Sequence, residues 1–287
     1  MGRQKLELIF GRVLLLYQMP KAGSQTLEAT LRLCGLPHRI VRLHFLSVES
    51  GQRINGFISA TSPQPAWQSA AAGQMQLLTE ITSALRVRKL LVACKVPLRR
   101  IEVITAVRDV LGVALSCIFQ NHRLFAPQPK DLTIEKCREL LMRPKMCAQF
   151  QDWFDTELRS TIGLDVYKEP FPTERGYCQY QNALARVLLY RFEELPRLGP
   201  VLEQFLTCNV PPLVNRNLGV EKEYGKAYRE VRNSITLPAH FVSTLLKGAL
   251  MEHFYSKEER DILKQKWSEV DQDPSLPSTL SSASQRA

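Results

Sequence analysis

The sequence predicts an α/β fold: a three-layer αβα sandwich with a central parallel sheet and extra helices at its C-terminal end. Three observations carry that expectation. Short continuous apolar runs, such as Val13–Gln18 and Ile101–Asp109, read as strands buried on both faces. Each run is followed at once by apolar residues at helical spacing. Strands that alternate with helices pair in parallel, with the crossover helices covering both faces of the sheet. A chain of 287 residues, 45% of them hydrophobic, suffices to bury one large core. Residues 1–270 are therefore read as a single domain. Residues 271–287, rich in Ser, Pro, Asp and Gln, are read as a disordered tail.

The elements follow in chain order. After the strand at Val13–Gln18, Gln25–Cys34 reads as a helix that stops at Gly35, a natural C-cap. Arg39–Leu46 alternates well enough for a second strand. Residues 47–73 have the Ser, Gly, Pro and Gln content of a long loop, 74–86 read as a helix, and "KLLVACKVP" as a further strand. Ile101–Asp109 is a strand that continues into the helix "VLGVALSCIFQNH", and residues 131–160 are helical and amphipathic. Arg186–Leu195 reads as a strand running into a helix. "PAHFVSTLLKGALMEHF" and "SKEERDILKQKW" make two C-terminal helices, the second opened by Ser256 three residues before Glu259, a capping-box spacing.

Charge and cysteine content bound the function. Lys and Arg number 38 against 28 Asp and Glu, a net charge of +10, which favours anionic partners. The seven cysteines contain no CxxC pair and lie mostly in apolar segments, as thiols do in a reducing compartment. The opening "MGRQKLELIFGRVLLLYQMP" is broken by Gly11 and Arg12, too short and charged for a membrane span, and without a small-residue cleavage site. A cytoplasmic protein with no transmembrane segment is expected. No spaced His, Cys, Asp and Glu cluster calls for a metal, and no nucleic-acid module is recognisable among the scattered arginines.

Ligands of such sheets bind at the C-terminal ends of the strands, so the turns after Gln18, Leu43 and Val107 matter most. The first, "PKAGS", places Lys21 and Gly23 between a strand and a helix. The first amides of a helix lack intrahelical partners, and its dipole adds positive charge. Gly23 lets the backbone approach an anion, and Ser24, Gln25 and Thr26 can donate hydrogen bonds. The order and spacing are not those of GxxxxGK[ST]. The alternative is a lysine that merely faces solvent from a βα loop. At the third turn, "VRDVLGVALS", Arg108 offers a planar fork for phosphate and Ser116 follows eight residues later, about two helical turns on. The alternative there is an Arg108–Asp109 surface pair and a serine bonded to its own helix.

Together the two turns resemble the sulfotransferases: "PKAGSQTL" is similar to their 5′-phosphosulfate loop, "VRDVLGVALS" to their 3′-phosphate motif, and "VLLYRFEEL" to a strand and acidic turn found in many of them. "YKEPFPTERGYCQY", "LLYRFEEL" and "EKEYGKAYREVRNSITLP…HFYSKEERDILKQKW" further resemble the capsular polysaccharide synthesis family, a sulfotransferase-like bacterial group. The resemblance covers most of residues 13–267. Its Asn-Lys-Trp-Tyr-Ser stretch reads Glu221-Lys222-Glu223-Tyr224-Gly225 here, so only Lys222 and Tyr224 agree.

The resemblance implies a P-loop-type fold and 3′-phosphoadenosine 5′-phosphosulfate as sulfuryl donor, with no metal. It assigns the leaving group to Lys21 and to Ala22, Gly23, Ser24, Gln25 and Thr26, and the 3′-phosphate to Arg108 and Ser116. It implies a carbohydrate or polysaccharide precursor as acceptor. His44, with a reference pKa near ~6.5, is the candidate base, and Glu80 is the carboxylate alternative. His122 is a poorer candidate; His240 and His253 are expected to be structural. Trp67, Tyr177 and Tyr180 could stack on adenine or sugar, although large aromatics more often pack in cores. Lys222, Lys226 and Arg229 form a basic face that could close over a nucleotide. Two rival readings remain: a P-loop kinase or nucleotide hydrolase using magnesium and ATP, and a non-catalytic relative that binds an acidic ligand or a partner.

Overall fold

The computed structural model describes residues 12–50, Val87, 101–214 and 222–269. It is a mixed α/β structure built on a five-stranded sheet of order β2-β1-β3-β5-β4: β1 Arg12–Tyr17, β2 His38–Leu43, β3 Ile101–Val107, β4 Tyr177–Gln181 and β5 Ala185–Arg191. The first three strands and β5 run parallel, with Leu14 opposite Glu102 and Val107 opposite Arg191. β4 corrects the expectation of a purely parallel sheet, because it pairs antiparallel with β5. The cause is local. Asn182 Oδ1 accepts from the amides of Leu184 (2.9 Å) and Ala185 (2.8 Å), folding a tight hairpin between the two strands.

Continuous apolar strands are explained by what covers them. Leu14 and Leu16 face one apolar layer and Leu15 and Tyr17 the other, and all four are fully buried. Each such side chain contributes roughly 1.5–3 kcal/mol by leaving water. On the Leu14 side lie α1 (Ser24–Arg32), with Leu27 and Leu31, and α5 (Gly199–Leu206), with Leu202 and Phe205. On the Leu15 side lie α2 (Val110–Gln120), α3 (Ile134–Leu141) and α4 (Pro144–Gln151). The C-terminal helices α6 (Gly225–Ser234), α7 (Ala239–Leu246), α8 (Ala249–Phe254) and α9 (Lys257–Trp267) add to that second layer through Tyr228, Val242, Phe254 and Trp267. The three layers and the extra helices match the expectation.

Several boundaries move. Residues 131–160 form separate pieces: Pro144 starts α4, and a π-helical turn spans Phe154–Arg159. The strand β5 leads into a 3-10 turn, Phe192–Arg197, because Pro196 lacks the donor an α-helix needs. The first C-terminal helix is split by the extended backbone of Gly248. Ser256 does accept from Glu259 N while Glu259 accepts from Ser256 N, completing the capping box. Residues 48–50 are helical where a loop was expected. The helix expected at 74–86, the strand "KLLVACKVP", Trp67, Glu80 and the tail lie outside the described residues.

The order of strand addition reverses at β1: β2 lies to one side of β1, and β3 to the other. The crevice between the C-terminal ends of β1 and β3 is therefore the topological switch point.

Candidate functional site

The β1 exit is held from below. Gln18, fully buried, donates from Nε2 to the Tyr190 hydroxyl (3.1 Å), and Tyr190 in turn donates to the Ala22 carbonyl (3.4 Å). Two left-handed residues then reverse the chain, Lys21 at φ 64° and Gly23 at φ 81°. Gly23 is required for a second reason: a Cβ there would lie 2.5 Å from Leu195 Cδ2 and 3.3 Å from the Phe192 ring. As N-cap of α1 it supplies no side-chain acceptor, and no acidic residue stands in the first turn. The helix end therefore keeps its partial positive charge. Ser24 and Thr26 are buried, and Gln25 is half-buried.

Lys21 does not simply face solvent. Its Nζ donates to Gln120 Oε1 at 2.6 Å, at the last turn of α2. Burial lowers its pKa to about 8; the nearby Cys117 sulfur opposes that shift, and the cations Lys222 and Arg108 reinforce it. Arg108 is buried, donates from Nη1 to the Lys21 carbonyl at 2.7 Å, and lies 4.4 Å from the centre of the Phe192 ring. The two turns picked out in the sequence are thus in contact. Asp109 is occupied differently from the surface pair given as the alternative: its Oδ1 accepts from Gly112 N at 2.6 Å and caps α2. Ser116 is half-buried and stands one turn before Gln120, on the same face of α2.

His44 follows β2, on the other flank of the β1 exit. Its Nδ1 lies 2.9 Å from the Gln18 carbonyl, which can only accept, so the neutral ring carries its proton on Nδ1 and keeps Nε2 as the basic nitrogen. Trp153 Nε1 donates to the His44 carbonyl at 3.0 Å. Just beyond, the fully buried Glu157 accepts from the Tyr17 hydroxyl (2.5 Å), the amides of Leu46 (2.6 Å) and Ser47 (2.9 Å), and the hydroxyls of Ser47 and Ser50. That carboxylate on the π-helical turn pins the β2 exit to β1.

Other expected residues fall elsewhere. Tyr180 is a core residue, and Tyr177 lies 5.1 Å beneath Arg175; both stand on β4, separated from the crevice by β5 and β3. Lys226 is exposed, 4.0 Å from Glu230. His253 packs edge-on against Phe254 and Tyr167, a structural role as expected. His122 Nδ1 faces the Phe119 carbonyl and its Nε2 the Glu223 carboxylate (3.5 Å).

Two residues gain importance from the fold. Lys222 stands close enough to Lys21 to oppose its protonation. Glu193 reaches the surface yet sits recessed at the β5 exit, where crowding by protein and then the Asp109 charge push its carboxyl up to about 7; Arg108 and the Tyr255 hydroxyl, 3.2 Å away, pull it back. The sequence signal was the acidic turn "RFEEL". It could not separate Glu193 from Glu194, which pairs with Arg191 (3.3 Å) and Arg197 (2.7 Å). Among the described residues no group of three or more His, Cys, Asp and Glu is placed to hold a metal, and no helix is long and apolar enough to cross a membrane.

Comparison with known proteins adds one match. No curated protein and no solved structure matches the chain. A family model described as "NKWYS: Putative capsular polysaccharide synthesis protein" matches residues 130–256, a stretch that holds α3, α4, β4, β5, Glu193 and Lys222 but not the turns at Lys21 and Arg108. The likeness read from the C-terminal third of the sequence is thereby borne out, and over residues 130–256 the chain carries the pattern of that capsular polysaccharide synthesis family.

Proposed function

We propose that the protein is a sulfotransferase of P-loop-type fold that moves a sulfuryl group from 3′-phosphoadenosine 5′-phosphosulfate to a hydroxyl of a carbohydrate or polysaccharide precursor. One observation carries the reading: Lys21 and Arg108, from two strand exits, join through a 2.7 Å hydrogen bond at the switch point of the sheet. The family match supports a biosynthetic context in polysaccharide synthesis, and the carbohydrate acceptor is part of the proposal.

In this reading the acceptor oxygen attacks sulfur in line. The new O–S bond forms as the bond from sulfur to the 5′-phosphate oxygen breaks. Negative charge grows on that departing phosphate, where Lys21, the amides from Ala22 to Thr26 and the α1 end stabilise it. The acceptor proton passes to His44 Nε2, whose ring the Gln18 carbonyl orients. Arg108 and Ser116 hold the 3′-phosphate.

Calorimetry tests the proposal. Adenosine 3′,5′-bisphosphate should bind without magnesium, with a Kd of about micromolar or tighter. A preference for ATP with magnesium would make this a kinase or nucleotide hydrolase, and binding of neither would mark a non-catalytic relative.

A further inference from the structure

The C-terminal end of α2 is approached from two sides. From one side Lys21 reaches Gln120. From the other, the chain entering α6 docks on the same helix end: the Tyr224 ring lies 6.1 Å from Phe119 and 6.2 Å from His122, and Tyr228 lies 5.4 Å from Phe119. The turn that delivers this segment is closed by Gly225 N donating to the Lys222 carbonyl at 2.7 Å. Lys222 Nζ is then held 5.6 Å from the centre of the Tyr224 ring.

Elsewhere the recessed cations meet carboxylates. Arg191 pairs with Glu194 and Glu259, Arg186 with Glu102, and Arg42 with Glu28. Lys21 and Lys222 instead meet an amide oxygen and a ring face, and among the described residues neither pairs with a carboxylate. The helix end offers roughly half a negative charge against two ammonium groups. Glu223, beside Lys222, faces His122 Nε2 at 3.5 Å instead. Cations that lack a carboxylate partner cost free energy that an anion between them recovers.

We propose that Lys222 is a second ammonium for the oxyanion bound by Lys21, so that the 5′-phosphate side of the donor is gripped by lysines from distant parts of the chain. This rests on the nucleotide reading above and adds a binding residue to it. It also gives a task to one of the two residues, Lys222 and Tyr224, that agree with the Asn-Lys-Trp-Tyr-Ser stretch of the family: Tyr224 positions the ammonium that Lys222 carries.

The test compares three ligands by calorimetry on the full chain: adenosine 3′,5′-bisphosphate, adenosine 5′-phosphate and adenosine 3′-phosphate. Lys222→Ala should weaken the first two by about tenfold or more and change the third by less than about twofold. Lys222→Met, which keeps an apolar stem on Tyr224, should show the same loss, since charge is what was removed. Lys226→Ala, on the exposed face of α6 just after that turn, should change none of them. If the unaltered chain binds the bisphosphate and both Lys222 variants bind it equally well, the inference fails while the nucleotide reading stands. An equal loss for all three ligands would also overturn it, because a 5′-specific contact cannot produce that pattern. If the unaltered chain binds no adenosine phosphate, the reading and the inference fall together.

Discussion

At the N-terminal end of β3, Glu102 lies 3.0 Å from His38 Nε2 and 2.6 Å from Arg186 Nη2, and Arg186 also covers the Phe205 ring. At the other end of the strand, Arg108 meets the carbonyl of Lys21 and the face of Phe192, and Lys21 meets Gln120. Both ends hold recessed basic side chains. Only the first gives them a carboxylate within ion-pair distance. Charge at the N-terminal end of β3 is internally compensated and serves the fold, whereas Lys21 and Arg108 at its other end are held in place by neutral acceptors and remain available to an anion.

The largest effect should come from breaking the compensated end. Glu102→Ala removes the carboxylate that faces Arg186 and His38 and should cost about 2 kcal/mol of stability, the partial exposure of Arg186 keeping it below the fully buried case. The drop should appear in thermal melts, with affinity for adenosine 3′,5′-bisphosphate unchanged. At the opposite end, Arg108→Ala should weaken that ligand by about 10- to 100-fold with a much smaller shift in Tm. A variant that unfolds would erase the contrast, because it would make Arg108 as structural as Arg186.

A finer test uses pH. Lys21 titrates at about 8, below its usual 10.5, so its charge is lost as pH rises through 8. Ligand affinity should fall over that step, and Lys21→Arg should flatten the profile, since arginine stays charged. In the ligand-free protein the sign is opposite. The unfolded chain binds more protons between pH 8 and 10.5, so this group makes stability rise with pH across that window. The smallest effect belongs to Glu193. Its folded value of about 7 lies above the usual 4.5, so the folded state holds the extra proton and stability falls as pH rises between them. Glu193→Gln should remove that slope: almost no change in Tm at pH 4, and a modest gain at pH 8, limited by solvent screening.

What was legible in the sequence was what is local. The Lys21 turn announces itself by a strand, a glycine and a helical pattern within a dozen residues, and Arg108 by its place at a strand end. That these two touch depends on β3 lying beside β1, and strand order is not written in any short window. The strand β4 was missed because Tyr177–Gln181 has no buried apolar run; Tyr180 alone is buried, and the Asn182 hairpin supplies the pairing. Glu157 read as one more charge in an amphipathic stretch. Only packing against Tyr17 and Ser47 turns it into a fully buried acceptor. His44 was visible as a histidine after a strand, but its tautomer is set by a carbonyl 26 residues away.

The left-handed backbone of Lys21 has a consequence of its own. A residue with a Cβ at φ 64° is strained by about 1 kcal/mol relative to glycine. The chain therefore keeps an ammonium at a position where a side chain is a conformational burden. Lys21→Gly should give a protein that melts later and grips anions worse, so at this single position toughness and ligand capture are opposed.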